Sequence, residues 1–213
     1  MNPQGALPAS TTLATIELLA VVASAVFGIL LACRKQLDPV GVVAVALAAA
    51  FGGGTLRDLF LGRRPLFWIT HDHYAAIVLV LALFGALVPG FIRRFERHLA
   101  VPDALGLALF SLTGAAFAVE AGTSLLIAAI LAVITGTFGG VIADVICNEI
   151  PALFRSGPLQ ATCAFAGAWV YLGALRLETP PNLALLLGFV GIVGFRLAAL
   201  KWNLRLPTAS LDP

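Results

Sequence analysis

The sequence predicts an all-α membrane protein: seven transmembrane helices built as a 3+3 inverted repeat plus a seventh helix. Three observations carry that prediction. Of the 213 residues, 60% are hydrophobic and only 11% charged, and the mean hydropathy is +1.00, outside the mix of a soluble globular domain. The apolar residues fall into seven runs, roughly 13–33, 40–62, 73–92, 102–120, 124–148, 158–177 and 182–202. Such runs approach the ~20 residues a helix needs to cross hydrocarbon, whereas a β-barrel reads as alternating stretches of about ten. Finally, a shift of 86 residues lays "FGGGTLRDLFLGRRPLFW" over "TFGGVIADVICNEIPALF". It pairs Gly53 with Gly139, Gly54 with Gly140, Asp58 with Asp144, Pro65 with Pro151, Glu17 with Asp103 and Gly28 with Gly114.

The first run holds eleven Leu, Ile, Val or Phe. Together they supply about −3 to −6 kcal/mol of insertion free energy, enough to carry the acid Glu17. Residues 1–12 contain no Lys or Arg, so no basic n-region marks a cleaved signal peptide and the first span is expected to persist. Each repeat contains an odd number of spans, so the second begins on the opposite side of the membrane from the first. The chain thus divides into an N-terminal tail at 1–12, repeat 1 at 13–92, repeat 2 at 93–180, a seventh helix at 181–203 and a tail at 204–213.

Arg34, Lys35, Arg93, Arg94, Arg97, Arg155, Arg196, Lys201 and Arg205 fall on one side of the seven-span arrangement, and Arg57, Arg63, Arg64 and Arg176 on the other. This asymmetry predicts an outside N-terminus and a cytoplasmic C-terminus. Trp68, Tyr74, Trp169, Tyr171 and Trp202 lie near span ends and suit an aromatic belt. Cys33, Cys147 and Cys163 are scattered without CxxC spacing and read as packing residues. "HDH" at 71–73 is too poor in ligands for a metal site.

The glycines Gly52, Gly53 and Gly54, and again Gly139 and Gly140, lie near mid-span. Glycine lowers the cost of leaving helical φ/ψ, so both clusters read as kinks whose released backbone groups face protein or a water-filled cavity. The competing reading is close helix packing, which is preferred for "GFVGIVGF" at 188–195. "TLRD" reads as a capping box with Thr55 as N-cap and Asp58 reaching back. The second copy carries Val141 in place of the Thr yet keeps Asp144, so a reciprocal cap does not account for both acids. An ionisable residue inside a span is a functional-site hypothesis by default. Arg57 can pair with Asp58 or, across the repeat axis, with Asp144, and can act as a barrier to cations. Glu17 and Asp103 are candidate vestibule residues, with a solvated helix end as the simpler role. Ser24, Ser111 and Thr113 either line a polar path or bond back to their own helices.

"GGGTLRDLFLGRRPLFW" followed by "GTFGGVIAD" resembles the bacterial members of the trimeric intracellular cation (TRIC) channel family, also labelled glycine-transporter domains. The likeness covers residues 13–202, with Ala143 standing where the first motif has Arg57. The resemblance implies a homotrimer in the bacterial cytoplasmic membrane, seven helices per subunit, an outside N-terminus and one pore within each subunit. It also implies permeation of K⁺ and possible passage of Na⁺, kinks at Gly52, Gly53, Gly54, Gly139 and Gly140, no cofactor or metal, and partners confined to itself and membrane lipids, without nucleic acid. Animal members carry a basic lipid-linked motif that has no counterpart here beyond Arg57. Two other readings compete. A secondary transporter of a small solute such as glycine suits the same inverted repeat. An aspartyl protease dyad of Asp58 and Asp144 is disfavoured, because duplication explains the pair and no GxGD precedes either acid; the chain is expected not to be an enzyme.

Overall fold

The computed structural model describes residues 10–88, 90, 99–155 and 159–206. Within them the elements are α1 (Ser10–Arg34), α2 (Pro39–Phe60), α3 (Phe67–Thr70), α4 (Asp72–Leu87), α5 (Ala100–Glu120), α6 (Leu125–Ile146), a 3₁₀ turn (Ala152–Phe154), α7 (Gln160–Arg176) and α8 (Pro181–Lys201). Each of the seven apolar runs contains one long helix, and no strand occurs among the described residues. Five helices, α1, α2, α5, α6 and α8, are long and apolar enough to cross a membrane, while α4 is shorter at 16 residues. The tail before residue 10, the arginines Arg93, Arg94 and Arg97 and the tail beyond 206 lie outside the described residues.

Local sequence sets the helix ends. Asp38 caps α2, its Oδ1 accepting from Gly41 N at 2.7 Å, with Pro39 at the first helical position. Ser124 caps α6 in the same way, accepting from Ile127 N at 3.3 Å. At the other ends the chain turns through positive φ at Gln36, Gly62, Gly122, Asn148, Glu178 and Asn203. Gln36 with Gly122, and Gly62 with Asn148, stand at the 86-residue offset. Each residue following closes a Schellman motif, as in Arg63 N to Asp58 O at 2.8 Å and Glu149 N to Asp144 O at 2.9 Å.

Helices α1, α2, α6 and α5 pack in a ring, each against the next. Outside it, α4 lies on α1 and α2, α7 on α5 and α6, and α8 on α7 and α5. The apolar interior falls into two clusters. One surrounds α1, α2 and α4 through Val21, Ile29, Val45 and Val78. The other joins α5 to α8 through Leu107, Leu131, Leu172 and Ile192. Where lipid removes most of the hydrophobic drive between helices, small residues and close backbone approach dominate packing, and Ala46, Ala49, Ala50, Ala128, Ala129 and Ala132 are all buried.

The glycines make the closest of these approaches. Both α2 and α6 are helical through Gly52–Gly54 and Gly139–Gly140. A Cβ on Gly53 would stand 2.0 Å from Thr135 O, and one on Gly139 would stand 2.3 Å from Ala49 O. The two contacts are reciprocal at the 86-residue offset, and they bring Cα–H groups onto carbonyl oxygens across the α2–α6 crossing. Gly28 against Val45 and Ala49, and Gly114 against Leu131 and Thr135, repeat the pattern at the α1–α2 and α5–α6 crossings. Gly140 differs, meeting only Phe27 at 3.9 Å.

Two further expectations change. Tyr74 and Tyr171 are buried rather than belted, and Tyr74 donates to Ala14 O at 3.1 Å. Trp68 stacks on Phe51 and donates through Nε1 to Thr55 Oγ1 at 3.1 Å, whereas Trp169 and Trp202 are exposed.

At the end of the bundle that holds the α1–α2 turn, Glu149 pairs with Lys35 and Arg155. Hydrogen bonds from Lys35 and then Arg155 hold its carboxyl down at about 2. A carboxylate depressed in the folded state stabilises the fold above its unfolded pKa, and that contribution is lost as pH falls towards the folded value. Thermal unfolding of the purified protein should therefore show an acid-side fall in midpoint between about pH 4.5 and pH 2 that Glu149→Gln diminishes; equal slopes for the two proteins would count against the tether.

Candidate functional site

Two cavities with charged residues in their walls enter the helix ring from opposite ends. The first, of about 490 Å³, is lined by the start of α1 (Ser10, Thr11, Glu17), the end of α2 and its following loop (Asp58, Arg63, Pro65), the α3–α4 junction (Thr70, His71) and the end of α5 (Phe117, Glu120). The second, of about 380 Å³, is lined by the end of α1 (Phe27, Arg34), the start of α5 (Ala100, Asp103), the end of α6 (Gly140, Asp144), Gln160 and Arg196. A polar chamber of only about 20 Å³ extends the second inward past Asp103, Gly140 and Gln160 to Ser24, Phe110, Thr135 and Thr137.

The floor of the first cavity is a charged cluster. Arg57 is 0% exposed, Asp58 1% and Glu17 3%. Arg57 Nε donates to Asp58 Oδ1 at 2.8 Å, Nη2 stands 2.7 Å from the same oxygen, and Nη1 stands 2.8 Å from Glu17 Oε1. The Nε bond is aligned as a hydrogen bond; the two Nη contacts are ion pairs by distance alone. Phe67 and Phe117 stack on the guanidinium, at 5.2 and 4.5 Å from its carbon to the ring centroids. Arg63 lies over Phe117 as well, at 4.1 Å, and reaches Glu120 at 3.5 Å. Burial of a lone guanidinium would be prohibitive, so two carboxylates and two aromatic faces compensate it.

Asp58 is a cap, but not of the helix the sequence suggested. Because α2 starts at Pro39, Thr55 sits mid-helix and caps nothing. Asp58 instead points forward, its Oδ2 accepting from Phe67 N, the first residue of α3, at 2.8 Å. Asp144 repeats this in the second copy, its Oδ2 accepting from Ala152 N at the start of the 3₁₀ turn at 2.8 Å. Both acids thus close the turn after their own helix. That explains why the carboxylate survives where Thr and Arg are lost.

The predicted residues are divided between the two cavities. Glu17 lies buried against Arg57, not at a solvated helix end. Asp144 belongs to the second cavity and has no part in the Arg57 cluster. Asp103 lies there too, where Gln160 Nε2 donates to its Oδ1 at 2.9 Å and Arg196 Nη2 to its Oδ2 at 2.7 Å. Ser24 lines the chamber, while Thr113 bonds back to Phe110 O at 3.0 Å. Sequence reasoning missed Phe67, Phe117, Gln160 and the pairing of Arg196. Arg196 interrupts the last apolar run, a signal that bears on a buried partner as well as on membrane orientation. The among-sequence distance from Glu17 to Arg57 left no spacing to read.

Comparison with known proteins agrees with this architecture. The family described as Glycine transporter matches residues 14–89 and again 100–176, two stretches that begin at the 86-residue offset. A UPF0126 membrane protein of Vibrio cholerae serotype O1 is 39% identical over 200 residues, covering 92% of this chain and 82% of that protein. The UPF0126 inner membrane protein YadS of Escherichia coli K12 is 37% identical over 198 residues, covering 90% and 95%. Among solved structures, the TRIC trimeric intracellular cation channel orthologue from Rhodobacter sphaeroides superposes with a TM-score of 0.83 at 35% identity, covering 92% of this chain and all of that one. A structure described under conductance through TRIC cation channels gives 0.85 at 28% identity, covering 94% and 98%.

Proposed function

Because this chain belongs to the glycine-transporter family that includes the bacterial TRIC channels, we propose that it is a potassium-permeable cation channel of the bacterial inner membrane, working as a homotrimer with one pore per subunit. The observation that carries this reading is the pair of cavities, each with acidic and basic residues in its walls, entering from opposite ends towards the α2–α6 crossing. The proposed subunit is a 3+3 inverted repeat, α1, α2 and α4 followed by α5, α6 and α7, with α8 appended. Reciprocal glycine contacts support that symmetry, since residue-to-residue reciprocity is what a two-fold axis produces. The N-terminus is assigned outside, which turns the Glu17 cavity outward and the Asp103 cavity to the cytoplasm, in keeping with the basic residues around the latter.

The path is closed in this conformation. An ion entering from outside meets the Arg57–Glu17–Asp58 cluster beneath Phe67 and Phe117, where a fixed guanidinium opposes a second cation in a poorly hydrated site. Opening moves Arg57 aside so that Glu17 and Asp58 face the ion instead. Gly52–Gly54 and Gly139–Gly140 are the positions at which α2 and α6 are expected to bend during that movement. No bond is made or broken, so the protein acts without catalysis or a cofactor.

Purified protein in planar bilayers under a KCl gradient should give unitary currents reversing near the potassium equilibrium potential. Saturable solute uptake in vesicles with electrically silent bilayers would replace the channel by a transporter, a reading favoured only by the closed middle of the path. Asp144→Asn should lower unitary K⁺ conductance by about two- to fivefold at low ionic strength, because the carboxylate concentrates cations at the mouth. The effect should fade towards 1 M salt, where the Debye length is about 3 Å. A deficit independent of salt would assign Asp144 to folding alone.

A further inference from the structure

We infer that Arg196 of α8 is a tethered cation seated on Asp103, closing the cytoplasmic approach to the pore in series with the Arg57 cluster. The inference rests on the channel reading and adds a second closure to it.

Asp103 occupies the throat: it lines both the second cavity and the chamber of about 20 Å³ beyond. That chamber holds roughly one water, so a cation passing it sheds most of its hydration and depends on nearby oxygens. Ser24, Thr135 and Thr137 supply hydroxyls there. Thr135 and Thr137 donate their protons to Leu131 O at 2.6 Å and Val133 O at 2.7 Å, which leaves their lone pairs as acceptors. The one carboxylate in that lining is already occupied. Arg196 takes Oδ2 through Nη2 at 2.7 Å and Nε at 3.3 Å, and Gln160 takes Oδ1 at 2.9 Å.

The first half shows what this arrangement replaces. Glu17, which corresponds to Asp103 at the 86-residue offset, receives its guanidinium from Arg57 of the same half. The position corresponding to Arg57 is Ala143, so the second half has no arginine of its own. Arg196 fills that role from outside the repeat, at 7% exposure. Each acid therefore carries an arginine where a permeant cation would bind, and the inner arginine rides on a helix packed at the periphery of the ring. A shift of α8 is sufficient to withdraw it.

The test is single-channel recording of wild type, Arg196→Gln, Arg196→Lys, Asp103→Asn and the Asp103→Asn/Arg196→Gln pair. At low ionic strength Arg196→Gln should raise cation current entering from the cytoplasmic side about threefold or more and make the current–voltage relation asymmetric. Arg196→Lys should stay close to wild type. Asp103→Asn, which leaves the guanidinium in the throat without its acid, should lower the current, and adding Arg196→Gln to it should raise it again. A symmetric, unchanged relation for Arg196→Gln beside a conducting wild type overturns the inference and leaves the channel reading standing. If Arg196→Gln does not fold, equal currents from Asp103→Asn and the double variant overturn it. A wild type that carries no cation current removes both readings together.

Discussion

Arg57→Met should destabilise the folded protein by about 3–5 kcal/mol, the range for removing one partner of a buried ion pair and leaving uncompensated charge. The cost arises from what stays behind. Glu17 and Asp58 are at most 3% exposed, and without the guanidinium both must either ionise in a poorly hydrated interior or take up protons. Asp58 retains its bond from Phe67 N, so Glu17 suffers more. Adding Glu17→Gln to Arg57→Met should recover part of the loss, and the thermal midpoints of the four proteins in one detergent form the double-mutant cycle that reads it. A coupling near zero would show that the cluster is not energetically joined. Where the variant still assembles, cation currents from the outside should increase, because the fixed positive charge is gone while the acids remain.

Gly53→Ala and Gly139→Ala should each cost about 1–3 kcal/mol, the usual penalty for overpacking, with values at the upper end because the obstructing atoms are backbone carbonyls at 2.0 and 2.3 Å. A side chain can turn away, but a helix carbonyl cannot without moving its helix. Gly140→Ala is the internal control, since its nearest neighbour is Phe27 at 3.9 Å. It should be neutral or slightly stabilising through the better helix propensity of alanine. Thermal unfolding of the three variants separates the two uses of glycine: equal losses at 139 and 140 would restore flexibility as the common requirement, whereas a loss confined to 53 and 139 assigns them to the crossing.

The long helices were legible because each hydrophobic run had to satisfy its own backbone in hydrocarbon, which only a helix of matching length does. The short α3 and the 3₁₀ turn were not, being turns of three or four residues behind a proline with too little pattern to register. "TLRD" misled for a specific reason: it fits a helix start, yet Asp38–Pro39 had already begun the helix, and one uninterrupted helix has one N-cap. The glycines showed where something unusual happens but not what, since a bend and a close crossing ask the same thing of a residue. Only the neighbouring carbonyl distinguishes them. The acids were found by their positions in apolar runs, but their partners were not, because Glu17 to Arg57 and Asp103 to Arg196 are pairings of the folded state.

The crossing of α2 and α6 also has a mechanical consequence. Its two tight contacts, Ala49 with Gly139 and Gly53 with Thr135, lie one helical turn apart, about 6 Å along each axis. Tilting one helix end over end would drive one contact together while prising the other open. Turning the helices past each other would slide the contacts apart sideways, so two pins a turn apart fix the crossing angle where a single one would leave it free.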